Sequence, residues 1–251
     1  MRAPTVVVVV ACALSSCAKQ LPARWIDPTT QMSFALIPAG EFVAGSPTTE
    51  AGHQDDEVLY PVRLARPFYM ASHEVTRREW AAVVTPGEAV DGDGDLPMVN
   101  VNWHEARSFL DRLNSAAEAR FRLPSEVEWE YACRAGTTTP YSTGPLLSTD
   151  EANYNGESPL NGQSAGANRK TVVRVGSFPP NAWGLFDMHG NVWEWTNDGY
   201  DQDRKVIRGG SFRFNAESAR CALRYHHRPQ DRGDSLGLRL VRDLTPEETL
   251  R

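Results

Sequence analysis

Residues 137–168 constrain the fold of this 251-residue chain more than any other feature. The stretch has little hydrophobic periodicity and consists mainly of Asn, Gly, Ser and Thr. Helices and strands need a repeating apolar face, and a long irregular stretch in a compact domain is usually functional or held by something other than a backbone ladder. The 19 glycines and 17 prolines also follow no period. The sequence therefore predicts a loop-rich fold, not a helical bundle.

The composition predicts one globular domain and excludes some classes of function. Apolar residues make up 41% of the chain and charged residues 23%, which is enough to bury a sizeable core. The net charge is −6, and no run of basic residues is longer than two. These features argue against a nucleic-acid partner and against a polybasic membrane-binding segment. No internal repeat or linker divides the chain.

The first residues have the pattern of a targeting segment. Met1-Arg2 is a short positive start, and Val6–Leu14 is an apolar run too short to span a bilayer. Leu14–Cys17 resembles the bacterial lipobox, in which cleavage precedes a cysteine that then receives lipid. The alternative is a plain signal peptide with an incidental cysteine. We expect a lipid anchor on Cys17 and an extracytoplasmic domain, facing the periplasm or the cell surface.

Boundaries follow from this interpretation. We predict a lipoprotein signal peptide over 1–16, a lipidated cysteine and tether over 17–32, one domain over 33–245 and a tail over 246–251. Within the domain, the segments 34–42 and 60–70 alternate as strands do.

Three predicted helix starts share one capping pattern. Thr76, Asn102 and Ser125 each stand three residues before a glutamate, which is the spacing of a capping box, with Asn the weaker variant. Behind Asn102, apolar residues recur at steps of three and four and predict one buried helix face. The third helix is expected to end near Gly136.

Five segments together resemble one family. They are Arg122–Gly136 (RLPSEVEWEYACRAG), Gly184–Trp195 (GLFDMHGNVWEW), Arg208–Phe212 (RGGSF), Pro97–Trp103 (PMVNVNW) and Gly237–Arg239 (GLR). The first two are long and residue-specific, and the set is similar to the formylglycine-generating enzyme (sulfatase-modifying factor) family. The resemblance covers about 34–243. It implies an α+β fold, a single compact, loop-rich domain related to C-type lectins with few short helices and strands.

Two cysteines remain beyond the leader, Cys133 and Cys221. In an exported compartment an even pair can form a bridge, and spacing alone leaves a disulfide and two unpaired buried thiols equally plausible. The resemblance favours the disulfide, because enzymes of the family bridge cysteines in the contexts that Cys133 and Cys221 occupy.

The copper chemistry that the resemblance implies lacks its ligands here. Family enzymes oxidise a substrate cysteine to formylglycine with oxygen and copper, which a pair of thiolates holds just after a Gly-Gly-Ser turn. In this sequence the residues 212–219 contain no cysteine, and Phe214 stands where the first thiolate belongs. Copper(I) needs soft sulfur ligands. We therefore predict that copper is absent, and we assign no catalytic residue.

The sequence contains candidate ligands for two other kinds of metal site. A non-haem iron at His226 or His227 is one alternative, but neighbouring side chains of an extended segment point to opposite sides. A structural calcium is better supported, since carboxylate and carbonyl oxygens suit Ca²⁺. The resemblance implies four ligands, which are the side chains of Asp187 and Glu194 and the carbonyls of Gly190 and Val192. The alternative is that the two carboxylates form salt bridges or caps.

A second calcium site of the family would use Asn153 and the Tyr154 carbonyl. This sequence has Gly166–Asn168 where the later acidic ligand would stand, so the second site has less support than the first.

Aromatic and arginine side chains have two interpretations each. Trp183, Trp193 and Trp195 would belong to the core or line a ligand groove. Arg208, Arg224 and Arg239 are expected to pair internally with the acidic motif residues, although arginine is also common at binding surfaces.

These features support two functional hypotheses. The first is a membrane-anchored, non-copper accessory protein that binds a protein or a glycan through residues 137–168 and 212–219, with no nucleic-acid partner. The second is an oxidoreductase of the formylglycine-generating or non-haem iron type that acts on a protein cysteine with O2. The missing thiolates favour the first, because activity depends on the site and not on the fold.

Overall fold

The computed structural model describes residues 21–90, 92–117, 119–159 and 165–249. Short strands and short helices occur along this part of the chain, and the predicted signal peptide and Cys17 lie outside it. The strands are β1 (Arg24–Ile26), β2 (Ser33–Ile37), β3 (Gly40–Ala44), β4 (Tyr60–Leu64), β5 (Phe68–Ala71), β6 (Phe121–Arg122), β7 (Trp193–Gly199), β8 (Lys205–Arg208), β9 (Tyr225–His227), β10 (Leu236–Leu238) and β11 (Val241–Arg242). The helices are α1 (Arg77–Val84), α2 (Trp103–Ala116), α3 (Glu126–Arg134) and α4 (Pro246–Thr249), with a 3-10 turn at Ala216–Ala219.

Three sheets organise the domain. The largest has the order β1-β2-β5-β11-β6 and is antiparallel throughout. The second has the order β10-β7-β8-β9, in which β10 runs parallel to β7 and the other pairs are antiparallel. Strands β3 and β4 form a separate hairpin-like pair. The largest sheet joins the beginning and the end of the described chain, so the expectation of one α+β domain is confirmed.

All three capping boxes form as predicted. The side chains of Thr76, Asn102 and Ser125 accept hydrogen bonds from the N3 backbone N–H of α1, α2 and α3. In return each N3 glutamate accepts from the backbone N–H of the capping residue, at 2.7–3.1 Å. The asparagine box is therefore complete, as the other two are. Helix α3 ends at Ala135, whose left-handed backbone precedes Gly136.

The main core lies between α2 and the two larger sheets. Phe109 and Leu113 of α2 pack with Phe34, Phe121 and Trp195 from both sheets. A second core gathers around α3 and includes Trp129, Cys133 and Met188. Burying a large apolar side chain contributes roughly 1.5–3 kcal/mol before entropy is counted, so these two clusters supply the main driving force for folding.

The predicted boundary between tether and domain is wrong. Strand β1 lies inside the predicted 17–32 tether, and it pairs with β2 in the largest sheet. Trp25 packs on Phe34 and Phe121 with ring centroids 5.5 and 6.1 Å apart, which explains why the polar surroundings of this segment do not keep it out of the sheet. Helix α4 likewise occupies part of the predicted tail.

The described part of the predicted irregular stretch has no regular secondary structure, and side-chain hydrogen bonds stabilise it. Between α3 and β7 the described residues contain no helix or strand. Tyr141 donates its hydroxyl proton to the Ala216 carbonyl at 2.9 Å, and Asn181 donates to the Ala132 carbonyl at 2.8 Å. Such contacts replace the backbone ladder that this segment lacks.

Within the described residues, every helix is too short or too polar to cross a bilayer.

Candidate functional site

Both cysteines of the domain are in a disulfide. Cys133, in the last turn of α3, bonds to Cys221 with an S–S distance of 2.08 Å, and both residues are fully buried. The pairing that the resemblance favoured is confirmed. The bridge fixes the start of the segment 221–227 against α3, and it leaves no thiol on the described part of the chain.

His189 lies beside this disulfide. Its Nδ1 is 2.8 Å from the Ala219 carbonyl and 3.9 Å from the Cys133 sulfur, while Nε2 is 3.0 Å from the Ser142 N–H. The Ser142 N–H must donate to Nε2, so Nδ1 carries the proton and donates to Ala219. Burial lowers the pKa of His189 to about 4, and the ring is neutral at neutral pH. Because both nitrogens are engaged, the histidine is a structural link and not a metal ligand.

Phe214, which stands where the resemblance places the first copper thiolate, faces a groove. Phe214, on the turn after Gly209-Gly210, is 43% exposed and meets Trp193 edge-on with the ring centroids 5.9 Å apart. Tyr225, 42% exposed, stacks on the Trp193 ring at 5.5 Å, and the His226 ring stacks on the Tyr225 ring at 5.3 Å. The arrangement presents aromatic faces and edges where the resemblance places sulfur.

We call this the aromatic groove, a cavity of about 410 Å³. Polar groups complete its wall. Its lining consists of Gln54, Asp56, Trp193, Tyr200, Phe214, Asn215, Glu217, Ser218, Leu223, Arg224, Tyr225 and His226.

The charge of Arg224 is neutralised inside the protein. Its Nε and Nη2 donate to the two oxygens of Glu126 at 2.6 and 3.0 Å, and Nη1 lies 3.5 Å from Asp56. Burial alone would raise the pKa of Glu126, but Arg208 and Arg224 outweigh burial and the pKa lies below its ordinary value. Arg208 likewise pairs with Glu130 at 2.8 Å, so the predicted internal pairing of Arg224 and Arg208 is confirmed, and Arg224 offers no free positive charge to the groove.

His226 and His227 lie on opposite sides of β9. His226 contacts the Tyr200 ring at 4.3 Å and Arg204 Nη1 at 2.8 Å, whereas His227 faces Trp195 and lies 3.4 Å from Asp231. Burial and the Arg204 guanidinium lower the pKa of His226. The two rings are not brought to one point, so this geometry does not assemble an iron site from them.

Glu194, a predicted calcium ligand, is committed to other groups. Arg239 donates to both carboxylate oxygens at 2.7–3.0 Å, and Trp129 donates its indole N–H to Oε2 at 2.6 Å. Glu194, Arg239 and Trp129 are all at most 1% exposed. The predicted pairing of Arg239 with an acidic motif residue is confirmed.

Asp187, the other predicted side-chain ligand, keeps one oxygen free. Its Oδ2 accepts from the Gly176 N–H at 2.6 Å, but Oδ1 is buried without a partner among the described residues. Its backbone is left-handed, with φ of 56°. Burial raises the pKa of Asp187.

Glu74, which no sequence motif indicates, completes this carboxylate cluster. The side chain is fully buried; Oε1 accepts from Asn191 at 3.1 Å, and Oε2 is buried with no partner in the described structure. Burial first, and then the Asp187 carboxylate, raise the pKa of Glu74 well above its ordinary value. Arg239 forms its ion pair with Glu194 and acts on Glu74 and Asp187 only through its charge. A buried glutamate of this kind has no sequence signature, because its environment comes from residues more than 100 positions away.

The candidates for the second calcium site lie next to this cluster. Asn153 is buried and pairs with Gly190 through an isolated backbone bridge, which places both predicted sites side by side. Its Nδ2 donates to Thr171 and Asn191, while Oδ1 has no partner among the described residues. Tyr154 is buried, and its hydroxyl donates to Leu147 at 2.7 Å.

Among the three tryptophans, Trp195 belongs wholly to the core and Trp193 forms the floor of the aromatic groove. Trp183 is half-buried against Tyr131, away from the groove-lining residues.

Comparisons with known proteins agree with these features. A sequence profile of the sulfatase-modifying factor enzyme 1-like domain matches residues 26–244. The chain is 35% identical over 176 residues to inactive C-alpha-formylglycine-generating enzyme 2 of Bos taurus, covering 66% of this chain and 56% of that protein. It is 30% identical over 192 residues to the formylglycine-generating enzyme of Bos taurus, covering 66% and 49%. The chain therefore spans about half the length of these relatives.

Solved structures show the same fold. PvdO from Pseudomonas aeruginosa matches with a TM-score of 0.78 and 29% identity, covering 90% of this chain and 100% of that one. CarF matches with a TM-score of 0.62 and 22% identity, covering 86% of this chain. Since the profile covers most of the sequence, the chain belongs to the sulfatase-modifying factor (formylglycine-generating enzyme-like) family.

Proposed function

We propose that this protein is a lipid-anchored, extracytoplasmic member of the family that works without copper as a binding accessory. The observation that carries the proposal is the position of the cysteines in the described domain. Phe214 stands where the resemblance places the first copper thiolate, and the only cysteines among the described residues close a buried disulfide. Oxygen and nitrogen ligands do not replace a thiolate pair for copper(I).

The aromatic groove is the binding surface in this proposal. Exposed rings at Phe214 and Tyr225 offer apolar contact area, while Asn215 and Gln54 are polar side chains beside them. Such a mixture of apolar surface and a few oriented polar groups is typical of ligand sites. Because the arginine in the wall is neutralised, the ligand we expect is an uncharged part of a glycan or an extended protein segment.

The test compares this protein with an active formylglycine-generating enzyme under one protocol. Both are supplied with copper(I), dialysed and analysed for metal, and both are then given a cysteine-containing sulfatase peptide with oxygen and a thiol reductant. We expect substoichiometric copper and no formylglycine from this protein, and both signals from the control enzyme. Stoichiometric copper together with formylglycine product would establish the oxidoreductase alternative instead.

Calcium beside Asp187 is part of the same proposal. The unpartnered oxygens of Asp187 and Asn153 suit a hard cation, and Ca²⁺ would offset the charge that Arg239 leaves uncompensated in the carboxylate cluster. Glu194 fits less well, because both of its oxygens already bind Arg239. The carbonyls of Gly190 and Val192 would supply further oxygen ligands.

Calcium is therefore expected to raise the melting temperature after removal of metal by chelation. At about 100 times the dissociation constant the gain is about 2.7 kcal/mol, which corresponds to roughly 5–10 °C for a domain of this size. Asp187→Asn, which tolerates the left-handed backbone, is expected to abolish the shift, and Asp234→Asn at an exposed ion pair serves as the control. Calorimetry checks the result. An equal shift in wild type and Asp187→Asn would rule out this site.

A further inference from the structure

We propose that an arginine-lined cavity at one end of the largest sheet seats the domain on the anionic phospholipid headgroups of the membrane that carries its lipid anchor. The inference rests on the proposed acylation of Cys17, and it adds an orientation and a headgroup-binding site. The arginine cavity, about 630 Å³, is defined by four arginines, which are Arg63, Arg66, Arg120 and Arg122.

Two of these arginines have no internal counterion. Arg122 is committed to Glu128 at 2.7 Å and to Asp243 at 2.9 Å, the two acidic residues of the cavity wall. Arg63 lies 3.6 Å from Glu41, and both side chains are highly exposed. Arg66 and Arg120 are exposed and form no ion pair within 4 Å among the described residues. The wall therefore has two more positive than negative charges, in a chain whose net charge is −6.

The fold assembles this positive site from separate segments. The sequence has no basic run longer than two residues, which is why it predicted no polybasic membrane-binding segment. Arg63 and Arg66 come from the end of β4 and the turn after it, whereas Arg120 and Arg122 come from β6 and the residue before it. The site exists only when β6 and the turn before β5 lie at the same end of the sheet.

The N-terminal segment leaves the domain at this same end. The Tyr69 hydroxyl donates to the Pro22 carbonyl at 2.8 Å, and the Leu36 N–H donates to the Ala23 carbonyl at 2.9 Å. The chain before β1 therefore runs beside the end of β2. In the next strand, Phe68 pairs with Ile37 of β2 and lines the cavity.

The same end of the sheet extends through Asp243, just after β11, to Arg120, because the Asp243 N–H donates to the Arg120 carbonyl at 3.0 Å. With strands about 4.8 Å apart, Phe68 lies about 10 Å from the first strand, and Arg120 lies about 19 Å from it.

The distance to the anchor is short. Cys17 is four residues before Leu21, where the described chain begins, and four residues span at most about 14 Å. An acylated Cys17 would thus hold this end of the sheet against the bilayer. At physiological ionic strength the attraction between arginines and an anionic surface falls off within about 8 Å, so the arginines contribute because the short anchor brings this end of the sheet close to the headgroups. The negative remainder of the protein is repelled by the same surface, so charge selects this orientation.

Arginine footprinting of the lipidated protein in nanodiscs tests the proposal. Phenylglyoxal modifies accessible guanidinium groups, and mass spectrometry reads each arginine separately. We expect Arg66 and Arg120 to react about fivefold more slowly in discs with anionic phospholipid than in zwitterionic discs, the factor that one arginine near an anionic surface should gain. Arg112 and Arg228 are internal controls, because both are exposed, outside the cavity and without an ion pair in the described structure.

Each outcome is informative. High salt should reverse the protection, because it shortens the screening length. Equal rates for Arg66 and Arg120 in both kinds of disc would overturn the docking proposal. Protection by inorganic phosphate in zwitterionic discs, without protection by anionic lipid, would overturn it too and identify a free-anion site. The same spectra report acylation of Cys17, so failure of the anchor is distinguished from failure of the docking surface.

Discussion

Replacing Arg239 with methionine is expected to lower the free energy of unfolding by about 3–5 kcal/mol, the range for a buried charge that loses its partner. Arg239 is fully buried and holds both oxygens of Glu194. It also donates to the carbonyls of Ala71 and Phe186, which would lose their donors. Methionine keeps much of the side-chain length, so the loss measures charge and hydrogen bonding more than packing.

Denaturant unfolding followed by tryptophan fluorescence measures this effect. Arg232→Met is the matched control, since Arg232 pairs with Glu105 at the surface and exposed ion pairs contribute about 0–1 kcal/mol. Combining Arg239→Met with Glu194→Gln should recover part of the loss, because the uncompensated carboxylate is then removed. Similar stabilities for Arg239→Met and Arg232→Met would contradict the role assigned to Arg239.

Removing the disulfide is expected to lower the free energy of unfolding by about as much as Arg239→Met does. Cys133 and Cys221 are 88 residues apart, and the chain-entropy treatment assigns about 4.6 kcal/mol to a loop of that size. The double variant Cys133→Ala/Cys221→Ala keeps the site apolar, which suits the buried cluster around α3. Its free energy of unfolding should fall by about 4–5 kcal/mol in the same denaturant experiment.

A redox control separates the bridge from the packing of its sulfur atoms. Wild-type protein refolded with both thiols reduced should have nearly the stability of the double variant. If the double variant lost less than about 1 kcal/mol, the bridge would not restrain the unfolded chain as the entropy argument requires.

The local elements of the fold are predictable from the sequence because their causes are local. Each capping box needs only four consecutive residues, and Thr76, Asn102 and Ser125 all form the predicted contacts. The tether boundary failed for the opposite reason. Trp25 enters the sheet by packing on Phe34 and Phe121, and the second of these is 96 positions away.

The candidate site was predictable only in part. The absence of cysteine in 212–219 could be read from the sequence, and the structure adds that Phe214 lines a groove. The partners of Glu194 and the burial of Glu74 could not be foreseen, since both depend on how distant segments meet. The arginine cavity could not be predicted from the charge pattern either, because its arginines come from two separate segments of the sequence.

The position of β11 has a consequence for biogenesis. This short strand lies between β5 and β6, so a segment near residue 241 completes a sheet whose other members come from residues 24–122. Contacts between such distant segments form late and make folding slow. A nascent polypeptide that lacks this segment therefore has an open slot in its largest sheet, and it should depend on chaperones and remain sensitive to proteases until synthesis reaches that point.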